Sequence, residues 1–206
     1  MVNFDELKRV RRILTIARTG LAYTKDTFDR ERLREIEKIS ISLLAQISHY
    51  TIDEIKQQII LEPGYITPKI DVRVFIQNDQ QKVLLVQDIK TKQWSLPGGF
   101  AEVGMSPIEN AQREVLEETG VNAEIINLKG VFDTDQSKLG KQLTQYYKLI
   151  FEGKIIDEGT FKSNYETSDV CYFSLDQLPE LSLPRTTAEQ IFKISEMIKR
   201  NRVYIE

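Results

Sequence analysis

The chain has 206 residues, of which 41% are hydrophobic and 29% charged. That is the balance of a globular protein with an adequate core, and the length allows one large domain or a small one joined to an average one. A net charge of −3 argues against general nucleic-acid binding. No run of about 18 to 20 uncharged apolar residues offers a membrane span, which argues against a membrane partner.

The first residues, Met1 to Val10, lack the charged-then-apolar layout of a signal peptide, so a cytoplasmic location is expected. Phe4, Leu7, Val10, Leu14 and Ala17 recur at three- and four-residue spacing and predict an amphipathic helix that Gly20 interrupts. Lys8, Arg9, Arg11 and Arg12 read as a solvated face of that helix. A second helix is predicted over about 26–48, with Leu33, Ile36, Ile39, Leu43 and Ile47 as its stripe. A third, Ile52 to Leu61, starts behind Thr51, with Glu54 at capping-box spacing. Residues 1–64 therefore predict an all-helical domain, which the break at Glu62-Pro63-Gly64-Tyr65 closes. His49, the one histidine, reads as a residue near a helix end.

From Lys69 the period changes to two. Ile70, Val72, Val74 and Ile76 predict a half-buried strand, and a second strand follows the Asn78-Asp79 turn. Trp94 to Leu96 is a short extended piece before Pro97. Further strands are predicted near 123–132, 146–151 and 170–175, and a last helix over about 187–200. Residues 67–206 thus predict an α/β domain with a mixed sheet. Cys171, the single cysteine, lies in a strand-like alternation and is expected to be buried and inert. With one cysteine and one histidine, metal chemistry must rest on carboxylates, which suit Mg²⁺ or Mn²⁺.

Most of the readable chemistry lies between Leu96 and Gly120. Ser106, Pro107 and Glu109 fit the N-cap, first and third positions of a helix, and Gly120 fits its stop. At about 100° per residue, Glu114, Glu117 and Glu118 fall within an arc of about 100°. Ile108, Ala111 and Val115 form an adjacent stripe expected to face the core. Like charges at these spacings repel, and the helix dipole disfavours them near its C-terminus. Bound divalent cations would reverse both terms, so the cluster is a candidate site. Pro97-Gly98-Gly99 gives the backbone freedom to approach the carboxylates, and Arg113 can orient one of them or meet a phosphate.

Gly99, followed by Arg113-Glu114-Val115-Leu116-Glu117-Glu118-Thr119-Gly120-Val121, resembles the Nudix box at every fixed position except one. The likeness extends over about Thr67 to Arg200 and implies a Nudix α/β/α sandwich. The run Ile16 to Asp26 and the junction Gly64 to Arg73 resemble, less specifically, the N-terminal helical extension of a Nudix subgroup. That subgroup hydrolyses nucleoside diphosphates linked to another moiety, and its members include enzymes assigned to ADP-ribose and to CDP-choline. The resemblance implies Glu114, Glu117, Glu118 and the Gly98 carbonyl as ligands of Mg²⁺ or Mn²⁺, with Arg113 holding Glu114. It also implies a general base outside the box. Glu166 is the first candidate, ahead of Glu152 and Glu158, and a solvated loop glutamate is the competing reading of Glu166. A homodimer formed by the helical part is expected. A nucleotide sensor without hydrolytic activity is the alternative function.

The one departure is Met105, where the box has glutamate. Glu102 and Glu109 are the nearby carboxylates that could compensate, and spacing does not choose between them.

Overall fold

The computed structural model describes residues 4–59, 64–136, 142–157 and 159–206. The chain divides into two compact units, Met1–Pro68 with Lys141–Gln145, and Lys69–Gly140 with Tyr146–Glu206.

The first unit holds α1 (Phe4–Tyr23), α2 (Thr27–Ile47) and α3 (Ile52–Ile59). Asp26 caps α2 by accepting a hydrogen bond from Asp29 N, and Thr51 and Glu54 form the expected reciprocal cap on α3. Gly20 does not interrupt α1. A Cβ there would lie 2.8 Å from Leu33 Cδ1, so this glycine lets α1 and α2 approach closely. Arg18 meets Glu37 at 3.3 Å, and together the two contacts show that the helices run antiparallel.

Leu7, Leu14 and Ala17 of the α1 stripe are buried as expected, with Ile41, Leu44 and Ile55. Of the predicted α2 stripe, Leu33 meets Gly20 and Ile47 packs on the core, but the other three residues do not turn inward. Ile36, Ile39 and Leu43 are exposed, as are Ile13 and Ile16 of α1. The second helix carries two apolar stripes, and periodicity alone cannot say which one its neighbour covers. Leu143, from the segment Lys141–Gln145, completes this small core, and Gln142 O accepts a hydrogen bond from Arg11 Nη1 at 3.2 Å.

The second unit contains β1 (Lys69–Ile76), β2 (Val83–Asp88), β3 (Trp94–Ser95), α4 (Pro107–Thr119) and β4 (Ala123–Asp133). These are followed by β5 (Tyr146–Ile155), β6 (Thr167–Phe173), α5 (Ala188–Lys199) and β7 (Tyr204–Ile205). One sheet is mixed, in the order β1-β5-β4-β7, with β1 parallel to β5, β5 antiparallel to β4 and β4 parallel to β7. The other, β3-β2-β6, is antiparallel. One apolar cluster joins Phe75, Leu85, Leu96, Phe132 and Ile150 to Ile191 and Ile194 of α5. The other joins Val72, Val74, Ile76 and Phe151 to Ala111 and Val115 of α4. The sheets therefore lie between α4 and α5, an α/β/α sandwich with two sheets where one was expected.

Three details depart from the sequence expectations. From Asp71 onward β1 is buried on both faces, because its polar residues are paired inside. Asp71 accepts from Arg73 Nε at 3.0 Å and from Lys148 Nζ at 2.6 Å, Lys148 being its register neighbour on β5. Arg73 Nη1 and Lys148 Nζ also donate to the carbonyls of Leu96 and Arg185. Cys171 is exposed, not buried. It sits on β6, the edge strand of the smaller sheet; alternation sets which residues share a face, not whether that face is covered. Ile108 is exposed too, so the buried face of α4 runs through Asn110, Ala111, Val115, Glu118 and Thr119.

The start of α4 is as the sequence predicts. Ser106 Oγ accepts from Glu109 N, Glu109 Oε2 accepts from Ser106 N, and Gly120 ends the helix with φ of 74°. Ser106→Ala is expected to cost about 1 kcal/mol in urea unfolding, the usual cost of losing an N-cap.

Candidate active site

The chain from Pro97 to Ala101 lies against β1. Val74 N donates to Pro97 O, Val72 N to Gly99 O, and Ala101 N to Ile70 O. The carbonyl of Gly98, between the two taken by β1, accepts no hydrogen bond among the described residues. Gly98 has φ of 141°, and a Cβ there would lie 2.1 Å from Val72 O. Only glycine fits. At Gly99 a Cβ would lie 2.9 Å from the Glu114 carboxyl group, so the bare backbone leaves room for that carboxylate.

Across this loop stands the acidic face of α4. Gly98 N donates to Glu118 Oε2 at 2.8 Å, and Glu118 is buried. Burial pushes Glu118 up to about 7, although the Arg73 charge and the Gly98 N–H both act to lower it. Glu114, with a side chain 12% exposed, is also raised, by burial first and by Glu117 second, against the pull of Arg113 and Arg73. Glu117 is open, with a side chain 59% exposed. The face thus grades from buried Glu118 to solvent-facing Glu117.

Two carboxylates held out of water without full compensation have a standing demand for positive charge. Their oxygen donors, with a free backbone carbonyl nearby, fit a hard divalent cation. As placed, Glu118 commits an oxygen to Gly98 N–H and Glu117 turns toward Arg113. Among the described residues no three acidic, histidine or cysteine side chains stand close enough to hold a metal ion.

Arg113 lies over the same face. Its Nη1 donates to Glu102 Oε2 at 2.7 Å, while its contacts to Glu114 and Glu117 are both 3.5 Å. Its guanidinium holds Glu102 below the usual carboxylate range. Met105 Sδ stands 3.5 Å from Arg113 Nη1.

Glu166 is exposed, on a loop that returns to the end of α4. Asn164 Nδ2 donates to Glu117 O at 2.8 Å, and Asn164 Oδ1 accepts from Glu166 N. Glu152 does not join the group. It pairs with Lys129 at 3.1 Å, and Lys129 Nζ also meets Asn201, just beyond α5. Glu158 lies outside the described residues.

Two participants were not singled out from the sequence. Arg73 attracts Glu118 and Glu114 from beneath while donating to Leu96 O, just before the glycine loop. Asn110 is fully buried and accepts from Glu102 N at 2.8 Å; its Nδ2 donates to Met105 O and Ser106 O. An asparagine inside a helix, where its amide competes with the backbone, was the available signal for the second. Arg73 carried none, since strand alternation assigned it to solvent.

Comparison with known proteins gives the loop and helix a context. Residues 67–195 match the model of the NUDIX domain, and residues 5–59 match that of the "UDP-X-like, N-terminal oligomerisation domain". The chain belongs to the Nudix hydrolase family. A Bacillus subtilis Nudix relative named "Putative ADP-ribose pyrophosphatase YjhB" is 38% identical over 193 residues, 94% of this chain and 92% of that protein. Among solved structures, a UDP-X diphosphatase is 40% identical over the whole of both chains, with a TM-score of 0.65. An ADP-ribose pyrophosphatase from Streptococcus suis is 33% identical, covering 68% of this chain and 100% of that one, with a TM-score of 0.60. The exposed isoleucines and leucine of α1 and α2 lie within residues 5–59, the stretch that matches that N-terminal model. No helix among the described residues is long and apolar enough to cross a membrane.

Proposed function

We propose that this Nudix hydrolase is a Mg²⁺-dependent pyrophosphohydrolase, with Mn²⁺ able to substitute. It would cleave a nucleoside diphosphate linked to another moiety, of the ADP-ribose or CDP-choline type. The products are a nucleoside monophosphate and a phosphorylated second product. The observation that carries the reading is the seating of Glu118 and Glu114 against Gly98 and Gly99, two poorly compensated carboxylates beside a free carbonyl. The relatives named for ADP-ribose and UDP-X supply the substrate class.

Glu114, Glu117, Glu118 and the Gly98 carbonyl would hold the metal, which supplies neutralisation of diphosphate charge and acidification of water. Arg113 keeps Glu114 in place. Arg73 supports both the buried carboxylates and the loop that faces them. Glu166 is the proposed general base: its carboxylate takes a proton from the attacking water as the new P–O bond forms and the anhydride P–O bond breaks. Exposed apolar residues on α1 and α2 support a homodimer, and a cytoplasmic location is part of the same proposal.

The test is incubation with Mg²⁺ and a panel of nucleoside diphosphate sugars and alcohols, ADP-ribose and CDP-choline included, read by phosphatase-coupled phosphate release. Turnover of at least one member, abolished by EDTA, is the expected result. Binding across the panel without turnover would favour a nucleotide sensor and overturn the proposal.

A further inference from the structure

With methionine at position 105, the loop before α4 lacks the carboxylate that the Nudix box places there, yet Arg113 has an acidic partner. Its bond to Glu102 is the short, charge-assisted one, whereas Glu114 and Glu117 at 3.5 Å supply little more than Coulomb attraction. Glu109, the other nearby carboxylate, is committed to Ser106 N at 2.7 Å. Glu102 is held from behind. The buried Asn110 amide bonds Glu102 N and the carbonyls of Met105 and Ser106, tying the loop to the helix that carries Arg113. Glu102, Asn110 and Arg113 thus form one connected unit on the flank of the acidic face.

We propose that Glu102, held by Asn110, is the positioning residue for Arg113, filling from three residues upstream the role that Met105 cannot fill. Arg113 in turn stands against Glu114 and Glu117. The inference rests on reading this face as the metal-bearing one. Since the Glu102 side chain is 61% exposed, the pair adds little to stability; its effect belongs to the site.

The test is a double-mutant cycle of Glu102→Gln, Met105→Glu and the two combined. Mn²⁺ affinity is read by electron paramagnetic resonance, with kcat, KM and melting temperature alongside. Glu102→Gln is expected to weaken Mn²⁺ binding and lower kcat about tenfold each, with KM and melting temperature little changed, as for loss of an outer-shell partner. Met105→Glu alone is expected to stay within about twofold of the parent, and in the double variant to restore both quantities to within about threefold. Glu102→Gln with parental Mn²⁺ affinity and kcat would overturn the proposal, as would a double variant no better than Glu102→Gln. If the parent turns over nothing in the panel, the proposed activity fails, while the Mn²⁺ arm still decides the role of Glu102.

Discussion

Glu118→Gln is expected to lower turnover at least about a hundredfold, the usual cost of losing a principal catalytic group, with substrate KM little changed. Glutamine has nearly the same shape, and its carbonyl can still accept from Gly98 N, so the loop geometry survives. What is lost is a buried negative charge. The stability change has the opposite sign. The folded-state pKa of Glu118, about 7, lies above its ordinary value of 4.5, so the native protein retains a proton that the unfolded chain releases. This contribution is complete below about pH 4.5 and is lost as pH rises through about 7. In EDTA, parent and variant should melt alike near pH 4.5, and the variant should melt higher at pH 8. Near-normal Mg²⁺-dependent turnover by Glu118→Gln would refute its role.

Asp71→Ala is expected to be strongly destabilising, costing about 3–5 kcal/mol in urea unfolding, because it strips a buried carboxylate from two buried cations. Arg73 and Lys148 are each less than a tenth exposed, so water cannot take over. Burial already pushes Lys148 down, and Asp71 is the group that opposes this. A companion variant, Asp71→Leu with Lys148→Met, should recover much of the loss by removing one of the two stranded cations. A loss below about 1 kcal/mol for Asp71→Ala would show that the cluster is not a buried ion network of this kind.

What was legible in the sequence was what short-range chemistry determines. The caps of α3 and α4 and the αL stop at Gly120 involve neighbours within four residues, so spacing revealed them. That Glu114, Glu117 and Glu118 share a face follows from helix period alone. What depends on the partner surface was not legible. Gly20 gives the same local signal whether it ends a helix or admits Leu33. Ile36, Ile39 and Leu43 of α2, Ile108 and Cys171 all have the right period, yet they are exposed among the described residues. Arg73 and Asp71 looked like the wet side of a strand because Lys148, which pairs with Asp71, lies 77 residues beyond it. The choice between Glu102 and Glu109 turned on the cap that commits Glu109 to Ser106 and on Asn110, whose buried amide fixes the loop so that Glu102 meets Arg113.

The acidic face of α4 is proposed to bind a divalent metal through Glu114 and Glu118. Mn²⁺ titration followed by electron paramagnetic resonance, on the parent and on Glu114→Gln/Glu118→Gln, tests it most directly. The parent should bind Mn²⁺, and the double variant should lose at least about tenfold in affinity while keeping its fold. Equal Mn²⁺ binding by the two proteins would contradict the account.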